Sequence, residues 1–129
     1  MNKNYEAIKA HYAASDRKDV EAMMAPITTQ TAWTEMAGFP YAGTYIGAEA
    51  IVAGVFKRIA EEWNDYAFSL ESLIDGGVTI VGVGTYSGAY RKTGKVMRAR
   101  VVHVWEMDDG KVVRFEQFTD TELVCEAIQ

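Results

Sequence analysis

The sequence contains little cysteine and little histidine, and each scarcity excludes a class of protein. Cys125 is the only cysteine among 129 residues, so an internal disulfide is impossible and a reducing compartment is favoured. The two histidines, His11 and His103, belong to no ligand-spaced cluster, so we expect no metal site. Nucleophile elbows, phosphate loops and dinucleotide fingerprints are also missing, and we therefore expect no cofactor.

Clustered positive charge and long apolar runs are equally scarce. The net charge is −5, and the one basic cluster, between Arg91 and Arg100, is interpreted as the solvated rim of a hairpin, so nucleic acid is not an expected partner. No apolar run reaches the length of about 18 residues that a membrane-spanning helix needs. The first residues, MNKNYEAIKAHY, lack the apolar segment of a signal peptide, and we expect a cytoplasmic protein that does not bind membranes.

Apolar and aromatic side chains are abundant instead, at 49% and 12% of the residues. This composition is typical of a globular protein with a sizeable core. The length predicts a single domain over residues 1–129.

Hydrophobic periodicity divides the chain into early helices and later strands. Apolar residues at three- and four-residue steps predict helices, and period-two alternation predicts strands. The predicted helices cover 5–15, 19–27 and 48–63, the predicted strands cover 28–36, 66–74, 78–90, 95–107 and 111–119, and 37–47 is a predicted loop rich in glycine. This order predicts an α+β fold, with helices packed on one face of an antiparallel sheet.

The stretch VVHVWEMDDGKVVRFEQF, residues 101–118, has the pattern of a hairpin. We predict a three-residue Asp-Asp-Gly loop, which opposes Trp105 to Val113 and His103 to Phe115. One face then carries Val101, His103, Trp105, Val113, Phe115 and Gln117. The two polar members would be diagonal neighbours roughly 7–8 Å apart. Both need polar partners, from the protein or from a ligand, because an unpaired buried polar group costs about 1–3 kcal/mol.

The opposite face of this hairpin is half apolar. It carries Arg100, Val102, Val104, Glu106, Val112, Arg114, Glu116 and Phe118, with the charges towards its ends. Because a helix layer covers only one face of such a sheet, we expect the second face to pack against another subunit in a homodimer.

Three motifs resemble those of the SnoaL-like proteins. They are a Trp-bearing strand after two helices, GTYIG before a long helix, and HVWEMDDGKVVRFEQFTDTEL near the C-terminus. These proteins belong to the nuclear transport factor 2-like superfamily, which includes the ketosteroid isomerases, and the likeness covers nearly the whole chain. It implies a curved antiparallel sheet wrapped around the N-terminal helices into a cone (a cystatin-like α+β barrel) with an apolar pocket, commonly in a dimer. The scaffold hosts many activities, so the resemblance is specific for the fold rather than the reaction.

The same resemblance implies roles for particular residues. In the steroid isomerases a carboxylate base ends the strand after the second helix, and Glu35 takes that position. Their oxyanion-donating tyrosine corresponds to His11, with Tyr12 beside it, and their protonated aspartate donor corresponds to His103. Polyketide cyclases of the SnoaL type resemble this chain at His103, but they carry an acid/base aspartate where this chain has Gln117.

Two further groups of residues complete the candidate site. Asp120 is expected to cap the C-terminal turn, with the pocket mouth as an alternative position. The numerous aromatic side chains are typical of the lining of a small-molecule site. The candidate catalytic residues are Glu35, His103, Gln117 and Asp120, and the candidate substrate-binding residues are His11, Tyr12, Trp33, Phe39, Tyr45, Phe56, Trp63, Tyr86, Trp105 and Phe115.

These residues support two hypotheses. In the first, the protein is an isomerase, cyclase or dehydratase of a small apolar carbonyl compound. Glu35 removes a proton, and His103 stabilises the enolate oxygen with support from Gln117 and from Tyr12 or His11. In the second, the protein is a non-catalytic dimeric module that binds an apolar metabolite, and His103 is a neutral core residue.

Overall fold

The computed structural model of the protein describes residues 2–129. Along this part of the chain, the predicted helices and strands occur in the predicted order, and a short second strand and a C-terminal helix are added to them. They are α1 (Lys3–Asp16), α2 (Val20–Met23), β1 (Ile27–Glu35), β2 (Gly43–Ile46), α3 (Ala48–Ile51), a π-helical segment (Val52–Phe56), α4 (Lys57–Glu62), β3 (Trp63–Gly76), β4 (Thr79–Tyr90), β5 (Val96–Asp108), β6 (Lys111–Thr119) and α5 (Thr121–Ile128).

Asn and Asp side chains begin three of the helices. The side-chain oxygens of Asn2, Asp19 and Asp120 accept backbone N–H groups at the first turns of α1, α2 and α5. These bonds satisfy donors that have no partner within the helix. The cap predicted at Asp120 is therefore confirmed.

The six strands form one curved, unclosed sheet in the order β2-β1-β6-β5-β4-β3. All neighbouring pairs are antiparallel except β1 and β6, which run parallel. The helices and this sheet form the cone-shaped α+β fold that the sequence predicted. The core lies between them, and all three tryptophans, Trp33, Trp63 and Trp105, are buried in it.

The predicted loop at 37–47 contains a strand that the pattern did not indicate. Gly43–Ile46 pairs with the free edge of β1, in the register Trp33↔Tyr45. A four-residue strand owes its formation to this non-local partner, because so short a segment carries little periodicity of its own. The ring of Tyr45 lies against Gly54 of the π-helical segment, where an added methyl group would overlap it.

The β5–β6 hairpin differs from its predicted register. Asp109 and Gly110 have φ of 48° and 80°, so they form a two-residue loop of the type that needs two left-handed residues. A β-bulge follows, between the pairs Glu106↔Arg114 and Met107↔Val112. The extra residue of the bulge, Val113, reverses the alternation of β6.

The bulge corrects the predicted faces of this hairpin. Val112 is 1% exposed and Val113 is 54% exposed, the opposite of the prediction. Trp105 pairs with Phe115, and His103 lies directly opposite Gln117 rather than diagonal to it. The polar pair therefore still shares the inner, helix-covered face.

Candidate functional site

A cavity of about 360 Å³ lies between the helices and the concave face of the sheet. Its lining is contributed by α1, α2, β1, the π-helical segment, α4 and strands β3 to β6, with further residues from the connections after α1. The lining residues are His11, Tyr12, Ser15, Lys18, Val20, Met23, Trp33, Glu35, Val55, Phe56, Ile59, Ala60, Trp63, Asp65, Tyr66, Ala67, Phe68, Tyr86, His103 and Phe115. Exposed members, such as Lys18 and Asp65, mark its opening. The size and the aromatic walls are typical of a small-molecule pocket.

Glu35 places a carboxyl group in this cavity. It is the last residue of β1 and is 4% exposed. Burial raises the pKa of Glu35 to about 8. The Trp33 indole, two residues earlier on the same face, lowers that pKa in part but makes no hydrogen bond of acceptable geometry. Glu35 is therefore mostly protonated at neutral pH, and its carboxylate, once formed, is more basic than an exposed one.

His103 is held by two tyrosine hydroxyls. The Tyr12 hydroxyl lies 2.8 Å from Nδ1 and the Tyr86 hydroxyl lies 2.8 Å from Nε2. Burial lowers the pKa of His103 to about 3, so the ring is neutral at pH 7. A direct hydrogen bond from His103 to a ligand would require one of these two contacts to open.

Each tyrosine has a second partner behind the cavity wall. Trp105 Nε1 donates to the Tyr12 hydroxyl at 2.9 Å, and Gln117 Nε2 donates to the Tyr86 hydroxyl at 3.0 Å. Gln117 is itself fixed, because its Oε1 accepts the Met36 backbone N–H at 3.3 Å. We call the five linked side chains the tyrosine–histidine chain: Trp105, Tyr12, His103, Tyr86 and Gln117.

His11 is the second buried histidine of the cavity wall. Its Nδ1 lies 2.9 Å from the Met23 carbonyl oxygen, which can only accept, so Nδ1 carries the proton. Burial lowers the pKa of His11 to about 4. The neutral ring therefore has an unprotonated Nε2, which is an acceptor and not the oxyanion donor that this position implied.

Two buried donors lining the cavity have no hydrogen-bond partner among residues 2–129. They are the Trp33 indole N–H and the Tyr66 hydroxyl. Burial raises the pKa of Tyr66 well above its ordinary value, and the neighbouring Glu35 charge adds to this rise. Both residues line the cavity, while the indole nitrogen and the hydroxyl oxygen are themselves almost completely buried.

The structure brings most of the predicted residues together. Nine of them line the cavity: His11, Tyr12, Trp33, Glu35, Phe56, Trp63, Tyr86, His103 and Phe115. Gln117 and Trp105 lie behind the wall and act through the tyrosines.

Three predicted residues lie elsewhere. Asp120 is exposed and caps α5, so its carboxylate is committed outside the cavity. Phe39 belongs to a second core cluster beside Tyr41, and the Tyr45 hydroxyl donates to the Tyr41 carbonyl oxygen. These two aromatic side chains are packing residues, because they pack in the core clusters and do not line the cavity.

Sequence reasoning missed Tyr66 and Phe68, which both line the cavity. They lie two residues apart on β3 and therefore share a face. The register Phe68↔Tyr86 places them beside a residue that was already a candidate. Period-two spacing of aromatics on this predicted strand was the signal that could have found them.

Within residues 2–129, no three His, Cys, Asp or Glu side chains are grouped so as to hold a metal ion. No helix in the same range is long and apolar enough to cross a membrane.

Comparisons with known proteins agree with this architecture. The family model for the SnoaL-like domain matches residues 8–115. No curated protein matches the sequence. Among solved structures, an NTF2-like protein from Burkholderia thailandensis is similar at 57% identity, with 100% of this chain and 99% of that chain covered and a TM-score of 0.97.

Two more distant structures are similar over nearly their whole length. TerC, co-crystallised with polyporic acid, is 26% identical, with 98% of each chain covered and a TM-score of 0.87. An NTF2-like protein of unknown function from Burkholderia pseudomallei is 24% identical, with 100% of this chain and 99% of that chain covered and a TM-score of 0.91. The latter shows the shared fold alone.

Proposed function

The chain belongs to the SnoaL-like domain family, and we propose that it is an enzyme that moves a proton next to the carbonyl group of a small, mostly apolar compound. The reaction class is isomerisation, cyclisation or dehydration. The observation that carries the proposal is the Glu35 carboxyl, which is 4% exposed, lines an aromatic cavity and has its pKa raised by burial to about 8.

Glu35 is the proposed base. An ionised Glu35 takes a proton from the carbon beside the carbonyl, and the electron pair of that C–H bond moves onto the carbonyl oxygen. The carboxylic acid so formed returns the proton to another carbon of the substrate, or to the oxygen that leaves in a dehydration. A base whose pKa is near the working pH suits both steps, because it gains and loses the proton with little cost.

The developing oxyanion needs donors in a site that excludes water. Neutral hydroxyl and indole groups line the same cavity, and the Trp33 N–H and the Tyr66 hydroxyl have no partner in the protein among residues 2–129. Donors already aimed at developing charge are commonly the largest catalytic contribution. The neutral His103 acts through its tyrosine partners rather than as a direct donor.

The cavity favours a compact, flat and largely apolar substrate. Its volume of about 360 Å³ lies at the lower end of the range for small-molecule sites, roughly 300–1,000 Å³. The co-crystallisation of TerC with polyporic acid supports a small-molecule ligand for a related fold. The lone cysteine supports a reducing, cytoplasmic location.

Deuterium exchange tests this proposal without knowledge of the product. A panel of aryl and cyclic ketones is incubated with the protein in D₂O, and NMR follows loss of the α-proton signal. We expect at least one ketone to exchange faster with the wild type, with a rate that rises as Glu35 ionises around pH 8. Glu35→Gln should abolish the exchange.

Glu61→Gln is the matched control, because Glu61 is an exposed carboxylate of α4. It should exchange the same ketone at the wild-type rate. Exchange in Glu35→Gln at the wild-type rate would remove Glu35 from the mechanism and with it the proposed reaction.

A non-catalytic dimeric binding module is the second candidate. It is favoured by His103, whose two ring nitrogens both have protein partners, as in a structural polar core. The outer sheet face supports the dimer, since paired Val81↔Val104 and Val83↔Val102 form a half-exposed apolar patch. A binding module would hold its ligand with an affinity that does not change when Glu35 is replaced by Gln.

A further inference from the structure

The ends of the tyrosine–histidine chain have fixed hydrogen-bond directions. At one end, the Trp105 indole N–H can only donate, so the Tyr12 oxygen accepts it. At the other end, the Met36 N–H must donate to Gln117 Oε1, which turns the Gln117 amide N–H towards the Tyr86 oxygen. At each end of the chain, the terminal residue therefore donates a hydrogen bond to the oxygen of the neighbouring tyrosine.

The two hydrogen bonds between the His103 ring and the tyrosine hydroxyls leave one hydrogen without an acceptor in the chain. Tyr12, Tyr86 and a neutral His103 carry three hydrogens between them, and the two bonds to the His103 ring use two. A neutral imidazole donates through one nitrogen and accepts through the other. The tyrosine that receives the His103 N–H then accepts twice, and its own hydroxyl hydrogen has no partner in the chain. That tyrosine is Tyr12 in one His103 tautomer and Tyr86 in the other.

Packing decides between the two tautomers. The Tyr12 oxygen has Trp105 Nε1 and His103 Nδ1 as neighbours, and an added methyl group at Gly82 would overlap it. Its third direction is therefore closed by the backbone of β4, and a free hydrogen there would be a buried, unpaired donor. Such a donor costs about 1–3 kcal/mol.

Tyr86 lies in a different environment. Its ring contacts Tyr66, with centroids 5.4 Å apart, and both rings line the cavity that holds Glu35. Glu35 lines this cavity as well, and burial together with the charges of Tyr66 and Glu35 raises the pKa of Tyr86 well above its ordinary value. A free hydroxyl hydrogen on Tyr86 can therefore be directed at a ligand in the cavity.

We propose that Tyr86 donates a hydrogen bond to the carbonyl oxygen of the ligand, and that His103, protonated on Nε2, is the positioning residue that makes Tyr86 a donor. This inference rests on the proposed function and deepens it. With both lone pairs of Tyr86 taken by His103 and Gln117, the hydroxyl can give a hydrogen bond but cannot accept one. The subsite thus takes hydrogen-bond acceptors such as carbonyl or enolate oxygens and rejects groups that can only donate.

Nitrogen-15 NMR of the free protein tests the tautomer directly. The chain contains two histidines, so the ring nitrogens give two spin systems, assigned with the variant His11→Asn. His11 serves as the internal reference, since its bond to the Met23 carbonyl requires Nδ1–H. We expect His103 to show the opposite tautomer, with Nε2 protonated and Nδ1 unprotonated. A His103 ring protonated on Nδ1 would overturn the assignment.

A matched ligand pair tests the donor. Acetophenone and ethylbenzene have nearly the same shape but differ in the carbonyl oxygen, and their affinities can be measured by NMR titration. We expect the wild type to prefer the ketone by roughly tenfold, the value of one hydrogen bond. Tyr86→Phe should lose this preference, and Tyr45→Phe, which removes a hydroxyl outside the cavity, should keep it.

The remaining outcomes are also decisive. A wild type that does not prefer the ketone, including one that binds neither probe, overturns the donor role, as does a preference that survives Tyr86→Phe. The tautomer is read on the wild type, so a poorly folded variant does not remove the test. Both measurements are independent of turnover. If both measurements give the expected result but no α-proton exchange occurs, the carbonyl subsite is supported and the enzyme function is refuted. If exchange occurs but His103 is protonated on Nδ1, the enzyme function is supported and the subsite is refuted.

Discussion

The raised pKa of Glu35 makes the stability of the protein depend on pH in a way that one substitution should remove. Burial raises the folded-state pKa from 4.5 to about 8. Between these values the folded state holds a proton that the unfolded state has lost, so the free energy of unfolding falls as pH rises. The slope is about 1.4 kcal/mol per pH unit.

The two buried histidines act with the opposite sign over a lower range. Their pKa values fall from 6.5 to about 4 for His11 and about 3 for His103, so the unfolded state binds more protons and stability rises up to pH 6.5. At pH 6.5 the unfolded-state rings are still half protonated, and the two histidines together add about 0.8 kcal/mol of stability as they become neutral above that pH. The contribution of Glu35 should fall by about 2 kcal/mol between pH 6.5 and 9, so it outweighs the histidines.

Urea denaturation at pH 6.5, 7.25, 8 and 9 measures this change, with fluorescence of the three buried tryptophans as the signal. The quantity of interest is the difference between the wild type and Glu35→Gln, because other titrating groups cancel in it. We expect Glu35→Gln to lack the fall of about 2 kcal/mol and the control Glu61→Gln to retain it. Parallel pH profiles for the wild type and Glu35→Gln would refute a buried Glu35 that titrates near pH 8.

Three further predictions use other residues. Asp120→Ala should lower the free energy of unfolding by about 1 kcal/mol through loss of the α5 cap, without changing ligand binding, as denaturation and titration would show; reduced binding would contradict its position outside the cavity. Light scattering should give twice the 14.3 kDa chain mass, and Val104→Asp on the outer face should give the monomer; a monomeric wild type would disprove the dimer. Tyr66→Phe removes an unpaired buried hydroxyl and should raise the free energy of unfolding by about 1 kcal/mol, whereas a loss of stability would mean that the hydroxyl has a partner.

Most of the fold could be predicted from the sequence because its long elements carry strong periodicity. The helix from Ala48 and the strands after residue 65 have patterns that span several turns or repeats, so a single exception does not hide them. The strand Gly43–Ile46 and the bulge at Val113 could not be predicted in this way. The short strand depends on its pairing with β1. The bulge inserts a single residue, and such an insertion reverses the alternation of the side chains that follow it.

The candidate site shows the same division. Alternation along β5 placed His103 on the apolar face of its hairpin, the resemblance placed Glu35 at the end of β1, and both residues line the cavity. Which polar groups meet was not readable from spacing, because Tyr12, Tyr86 and Gln117 come from α1, β4 and β6. Their contact is a property of how those elements pack.

The distribution of paired and unpaired polar groups argues for a function in the cavity. Within the tyrosine–histidine chain, nearly every hydrogen-bonding group has a partner, and this pairing orders five side chains, including the buried His103 ring. A few ångströms away in the same lining, the Trp33 indole and the Tyr66 hydroxyl have no partner within residues 2–129, and Glu35 has a strongly raised pKa. Each such group lowers stability by about 1–3 kcal/mol, and an apolar replacement would avoid that cost. Trp33, Tyr66 and Glu35 all line the same cavity, so the simplest physical account is a ligand that pairs with their polar groups when it binds there.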